Sequence, residues 1–272
     1  FAFPNISLAG DNEEIKFGFY ADRVVVATQT ILFNEALNRR ITEIGNRVAK
    51  ASERTDMKYT FRVINDPTIN AYSAAGGFVY INTGLLDILE SEDELAAVMA
   101  HELVHTNNNH QINFIYAAHR RRVAGQVAGI FLGAALGVAG GMAMGPAPST
   151  YSPNYGMHQQ LTQQMFDLGS RAGMEMGNAI GISMITGYGK KQELEADALA
   201  VQYAKKAGYD PNALIGVFKK LISIRNRLGI TPQNYISSLI NAEPGLEERI
   251  KNAELILNPD KNKQTKEERR DE

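Results

Sequence analysis

Residues 101–105 read His101-Glu102-Leu103-Val104-His105. On an α-helix, residues four apart lie on one face about one turn from each other, so both imidazoles can reach a single ion. Glu102, next to the first histidine, is placed to hold a water on that ion. The pattern reads as a zinc site. A histidine pair on a core helix is also compatible with two hydrogen-bonded interior residues, so the reading needs a third ligand from elsewhere in the chain.

The helix has a legible start. Ser91-Glu-Asp-Glu94 forms a capping box, with Ser91 as N-cap and Glu94 at the third helical position, and the acidic first turn suits the helix dipole. Leu95, Val98, Met99 and Leu103 place this helix in the core. The missing ligand comes from Gln192-Glu193-Leu-Glu-Ala-Asp197, helical in composition, with Glu193 and Asp197 one turn apart on one face. One of the two carboxylates can bind the metal while the other receives the free N–H of a ligating histidine. Glu195 lies roughly 200° around the helix from Glu193. Ala196, Ala198, Leu199 and Ala200 crowd these acids as in a packed helix, not a solvated acidic face.

Composition limits what surrounds the site. A chain of 272 residues can bury a sizeable core as one main domain. The net charge of -2 and pI near 6.3 give no basis for binding nucleic acid or an anionic membrane by electrostatics. There is no cysteine, so any metal is held by His, Asp or Glu. The chain opens at Phe1 without a basic-then-apolar signal segment, and a removed targeting segment is compatible with this.

From Asp11 to about Lys50, apolar positions such as Ile15, Phe19, Val26, Thr30, Phe33, Leu37, Ile41, Ile44 and Val48 recur at helical spacing and predict one scaffold helix. Tyr59 to Ile64 alternates as a strand, and Asn65-Asp66-Pro67 turns out of it. Asn70-Ala-Tyr-Ser-Ala-Ala-Gly76-Gly77 leads into a second strand, Phe78 to Thr83, whose glycine pair allows close backbone approach. That strand is either an ordinary sheet strand or an edge where Gly77, Phe78, Val79 and Tyr80 pair with an extended peptide. Downstream, helices are expected through Lys206, from Asn212 to Leu228, from Tyr235 to Ile240 and from Gly245 to Leu257.

With both motifs in view, the chain resembles the gluzincin metallopeptidases of the CAAX prenyl protease, HtpX and BepA. The resemblance runs from about Asp11 to Ile250. It includes Asn70-Ala-Tyr, Gly76-Gly77-Phe-Val-Tyr, Thr83-Gly84-Leu-Leu86, the two zinc motifs and Gly208-Tyr-Asp-Pro211. It implies one Zn2+ held by His101, His105 and Glu193, with Glu102 as general base and Asp197 orienting His101. It also supports the edge reading of Gly77 to Ile81, and leaves His110 outside the ligand set. Val104 stands where a small glycine is common. Relatives carry a His-Pro pair before an arginine; here the segment is Glu243-Pro244-Gly-Leu-Glu-Glu-Arg249. Arg249 is then a candidate for the oxyanion or substrate, and Glu243 for a latent state in which it approaches the zinc.

Between the zinc motifs, Gly125, Gly129, Gly133, Gly137, Gly141 and Gly145 recur every four residues, as do Gly169, Gly173, Gly177 and Gly181. Each glycine costs a helix about 1 kcal/mol relative to alanine, so close helix packing must reward them. Residues 124–144 and 165–185 therefore read as a tight helical hairpin or a contact between subunits. Val123 to Met144 is 22 residues, long enough to span a bilayer. A single crossing would nevertheless strand Glu193 opposite His101, and Asp167, Arg171 and Glu175 make the second helix a poor spanning partner.

The expected fold class is α+β: a mainly helical, zincin-like metalloprotease fold with a small β-sheet and a glycine-rich helical hairpin insertion. Residues 1–258 form a single metallopeptidase domain, residues 123–187 the glycine-zipper hairpin within it, and residues 259–272 a charged, mobile tail. The expected function is zinc-dependent endopeptidase action on extended or misfolded protein segments, in protein quality control of the bacterial cell envelope, periplasmic or membrane-associated. The partner is polypeptide and not nucleic acid, with membrane contact or homo-oligomerisation through the hairpin. Two rival readings stand beside this: a chaperone or assembly factor that binds strands with little cleavage, and a membrane-contacting oligomer with structural zinc.

Overall fold

A computed structural model describes residues 11–114, 117, 188–228 and 245–259. The expected hairpin of residues 123–187, Glu243, the short helix from Tyr235 and the tail beyond residue 259 lie outside the described residues. The elements below belong to one compact unit, Ser7–Ile112 with Gly181–Glu272.

The single N-terminal helix expected from periodicity is two helices, α1 (Asp11–Thr28) and α2 (Glu35–Ala51). Between them the chain is extended: Ile31 bridges to Ile64, Leu32 N–H donates to the Val63 carbonyl at 2.9 Å, and Asn65 N–H donates to the Thr30 carbonyl at 2.8 Å. Asn34 then restarts the helix as N-cap, its side chain accepting from Leu37 N–H at 3.1 Å. The apolar spacing ran through this break by coincidence, and Phe33, counted toward the helix face, is 88 % exposed. On α1, too, Ile15, Phe19 and Val26 face outward, while Gly18, Ala21 and Val25 are buried.

Three strands follow: β1 (Thr60–Ile64), β2 (Ala71–Ala74) and β3 (Phe78–Asn82), in the order β1-β3-β2. β3 runs parallel to β1 and antiparallel to β2, with Val63 opposite Ile81 and Ser73 opposite Val79. The expectation that Gly77, Phe78, Val79 and Tyr80 form an edge is overturned. β3 is the middle strand, every one of its residues is buried, and both of its backbone rims are occupied by neighbours. Its near-continuous apolar run is what a strand covered on both faces requires. β2, composed of small residues with one tyrosine, takes an outer position instead. The glycine pair makes the turn between β2 and β3, with φ of 71° at Gly76 and 88° at Gly77.

α1 covers one face of this sheet. Two ion pairs hold it there: Arg54 Nη1 on both Glu14 oxygens at 2.8–2.9 Å, and Arg62 as a fork on Asp22 at 2.7–2.8 Å, with Tyr80 O–H donating to Asp22 at 3.0 Å. A one-turn helix α3 (Thr83–Leu86) leads to α4 (Glu92–Asn107), which crosses the other face and is buried from Glu94 to Asn107. Ser91 caps α4 as expected, its hydroxyl accepting from Glu94 N–H at 3.2 Å. The return bond is displaced by one residue, with Glu94 accepting from Glu90 N–H at 2.7 Å. α5 (Lys190–Lys206), α6 (Ala213–Leu228) and α7 (Leu246–Leu257) complete the unit. Gly208, at φ 79°, ends α5 where the sequence places the stop. Buried Ala196, Ala200 and Ala204 line one face of α5 and permit its close approach to α4, with which it shares its main contact. No described helix is long and apolar enough to cross a membrane.

Gly84, at the start of α3, has no room for a side chain: a Cβ there would run into the Pro67 carbonyl and come within 2.7 Å of the Thr68 oxygen. Gly84→Ala is expected to cost about 2–3 kcal/mol and to lower Tm by roughly 4–10 °C. Gly216→Ala, a helical site whose nearest foreign atom is 3.6 Å away, should be neutral or slightly stabilising. Thermal unfolding of both variants checks this, and equal Tm values would contradict it.

Candidate metal centre

α4 brings the two histidine rings together, with His101 Nε2 and His105 Nε2 3.0 Å apart. α5, packed against α4, supplies Glu193, whose Oε2 is 3.4 Å from His101 Nε2 and whose Oε1 is 3.8 Å from His105 Nε2. One donor atom from each of the three residues lies within 4.8 Å of the others, and all three are buried. Two imidazoles and a carboxylate are a donor set that suits zinc. Asp197, one turn along α5, takes the other side of the His101 ring, Oδ1 standing 3.0 Å from Nδ1. The two acids therefore occupy opposite nitrogens of one imidazole.

Arg249 sits where the sequence did not anticipate. It is 0 % exposed and grips Asp197 as a fork, Nε to Oδ2 at 2.9 Å and Nη2 to Oδ1 at 2.7 Å. Nη2 also approaches Glu193 Oε2 at 3.3 Å, and the guanidinium lies 4.4 Å above the Phe218 ring centre. The arginine is thus committed through Nε and Nη2 to the buried acids, with Nη1 left without a partner.

Three neighbours, His110, Glu195 and Tyr188, complete the surroundings, and of these only Tyr188 went unremarked in the sequence. Asn109, at φ 53°, breaks the chain after α4, so that His110 returns to the helix it has just left. Its Nδ1 meets His105 Nδ1 at 2.8 Å, while its Nε2 lies 3.9 Å from Glu195 Oε2. Glu195, on the far side of α5 from the metal donors as expected, also accepts from the Asn108 amide at 2.8 Å. The third is Tyr188, just before α5. Its N–H donates to Glu193 Oε1 at 3.1 Å, and its ring stacks on His105 with centroids 4.1 Å apart and planes at 21°. The run Asn107-Asn108-Asn109 was a legible sign of a left-handed break; nothing local in the sequence marks Tyr188.

Burial and charge set the protonation of the cluster. Burial lowers His101, but its hydrogen bonds to Asp197 and Glu193 outweigh this and lift it to about 9. Burial raises Glu102 to about 7 against the pull of His101. Burial also pushes His105 well below the ordinary imidazole range and His110 down to about 4. Glu193 is held down at about 2 because His101 and Arg249 overcome its burial, and Arg249 in the same way keeps Asp197 low. Ser73, from β2, lies beside the Glu102 carboxylate.

The comparisons with known proteins agree with this geometry. The profile of Peptidase family M48 matches residues 35–256. A putative beta-barrel assembly-enhancing protease of Vibrio cholerae is 28 % identical over 213 residues, covering 77 % of this chain and 38 % of that protein. The beta-barrel assembly-enhancing protease of Yersinia pestis is 26 % identical over 210 residues, with the same coverage of each. The mitochondrial metalloendopeptidase OMA1 of Schizosaccharomyces pombe is 26 % identical over 189 residues, covering 70 % of this chain and 45 % of that one. The chain thus spans 38 % of the length of the bacterial relatives. Since the family profile takes in α2 through α7 with both histidines and both acids, the chain belongs to Peptidase family M48, the metallopeptidases its sequence resembled.

Proposed function

We propose that the chain is a zinc endopeptidase acting on extended or misfolded polypeptide. His101, His105 and Glu193 hold the ion, Glu102 is the general base, and Asp197 orients His101. The observation that carries this reading is the convergence of three buried donor atoms within 4.8 Å, with a raised carboxyl on the residue next to His101. Bound there, a zinc ion supplies the Lewis acidity that makes water nucleophilic near neutral pH.

The residues then divide the work. Asp197 accepts from His101 Nδ1–H and leaves Nε2 with its lone pair for the ion, while His110 does the corresponding service at His105 Nδ1. Glu102 takes a proton from the attacking water as its oxygen bonds to the carbonyl carbon. The same carboxyl returns that proton to the amide nitrogen as the C–N bond breaks, leaving an acid and an amine. A pKa of about 7 suits a group that must serve as base and then acid at neutral pH. Substrate alignment falls to β2, the outer strand whose Ser73 faces Glu102. The names of the bacterial relatives support protein quality control in the cell envelope, periplasmic or membrane-associated, as the setting.

Casein digestion tests the reading. Wild type with zinc should cleave, and a chelator should stop it. Glu102→Gln should lose 10²-fold or more of the rate, on the order expected for a general base, while still binding one zinc. Cleavage by Glu102→Gln at the wild-type rate would refute it.

Ion binding must also displace protons. At pH 7 His101 carries a proton and Glu102 carries one about half the time, so loading should release about one to two protons per ion. Apparent zinc affinity should therefore fall as pH is lowered below about 9, the His101 value. Calorimetry in two buffers of different ionisation enthalpy reads the release, and identical heats would contradict it.

Replacing Arg249 separates its role from substrate contact. Arg249→Leu leaves Asp197 buried without its counter-charge, which costs about 3–5 kcal/mol and roughly 10 °C or more of Tm. An unchanged Tm with lost cleavage would instead assign the arginine to the substrate.

A further inference from the structure

The reaction just described needs a hydrogen-bond donor for the oxygen that gains charge when the peptide carbonyl is attacked. Arg249 has Nε and Nη2 committed to Asp197 and only its buried Nη1 without a partner. Two hydroxyls stand closer to the chemistry of the base. Ser73, on β2, is buried within reach of both the Glu102 carboxylate and the Tyr188 phenol. Tyr188 reaches the same place from the other side: its ring is fixed against His105, its N–H is bonded to Glu193, and its phenol neighbours Ser73 and Glu102. Tyr188 as a whole is half-buried, but its phenol is buried with the cluster.

Donors already held in place at the base need no rearrangement to receive a developing charge. Here two hydroxyls meet at the general base, one carried by the outer strand and the other locked onto two candidate metal ligands. We infer that the Tyr188 and Ser73 hydroxyls are the donors that receive the charged carbonyl oxygen, Tyr188 being the principal one. The ring stacking and the backbone bond to Glu193 would then serve to fix the direction of the phenol O–H. This inference rests on the peptidase reading of His101, Glu102, His105 and Glu193.

The test uses the full zinc-loaded chain and a phosphinic peptide, whose tetrahedral phosphorus and charged oxygen imitate the attacked carbonyl. Tyr188→Phe keeps the ring against His105 and removes only the donor. It should lower kcat by about 10²-fold, leave KM within about twofold and retain one zinc per chain, as loss of one such donor does elsewhere. Its affinity for the phosphinic peptide should fall by a similar factor. Ser73→Ala should show the same pattern more weakly, about tenfold. Wild-type kcat and phosphinic affinity in Tyr188→Phe would overturn the inference. So would harmless Tyr188→Phe beside a Tyr188→Leu that loses zinc, which would reduce the tyrosine to a prop for His105. Failure of the underlying reading looks different: a phosphinic peptide that does not bind zinc-loaded wild type, or equal cleavage by wild type and Glu102→Gln, overturns both.

Discussion

A charge imbalance in a dry interior governs this molecule. Glu102, Glu193 and Asp197 are three carboxylates buried together, and Arg249 is the permanent cation among them. When all three acids are ionised, two negative charges remain uncompensated where burial of even one is costly. Protons answer part of that deficit: His101, held between Asp197 and Glu193, and Glu102, buried beside them, both bind protons more tightly than usual. A divalent cation supplies two charges at the same place. The metal preference follows from electrostatics before coordination geometry is considered.

Such a cluster needs stiff walls. α4 and α5 hold the donors on regular helix, where side-chain direction is fixed, and the alanine face of α5 lets the two helices approach closely. α7 contributes Arg249 and α6 the Phe218 ring beneath its guanidinium, so four helices are tied to one ionic centre. The sheet contributes differently. β3, fully buried, is a backbone for the fold, and β2 carries Ser73 toward the base.

The site was legible in the sequence where its logic is local. His101 and His105, Glu193 and Asp197, and the Ser91 cap each depend on spacings of three or four residues, which helix geometry translates directly into shared faces. The α+β class followed from the same pattern. What was illegible depends on distant pairing. Ile31 leaves the helical state because Ile64 is available to bridge it, and β3 is central because β2, weak in strand-forming residues, folds back through Gly76 and Gly77. The fork of Arg249 on Asp197 joins residues 52 apart, and Tyr188 became visible only as a ring against His105.

The donors come from two helices that are far apart in the chain, joined by the glycine-rich stretch. Within α5 their spacing admits no change. One residue inserted between Glu193 and Asp197 would rotate one acid by roughly 100° away from His101, so a single insertion would part the two carboxylates that share one imidazole.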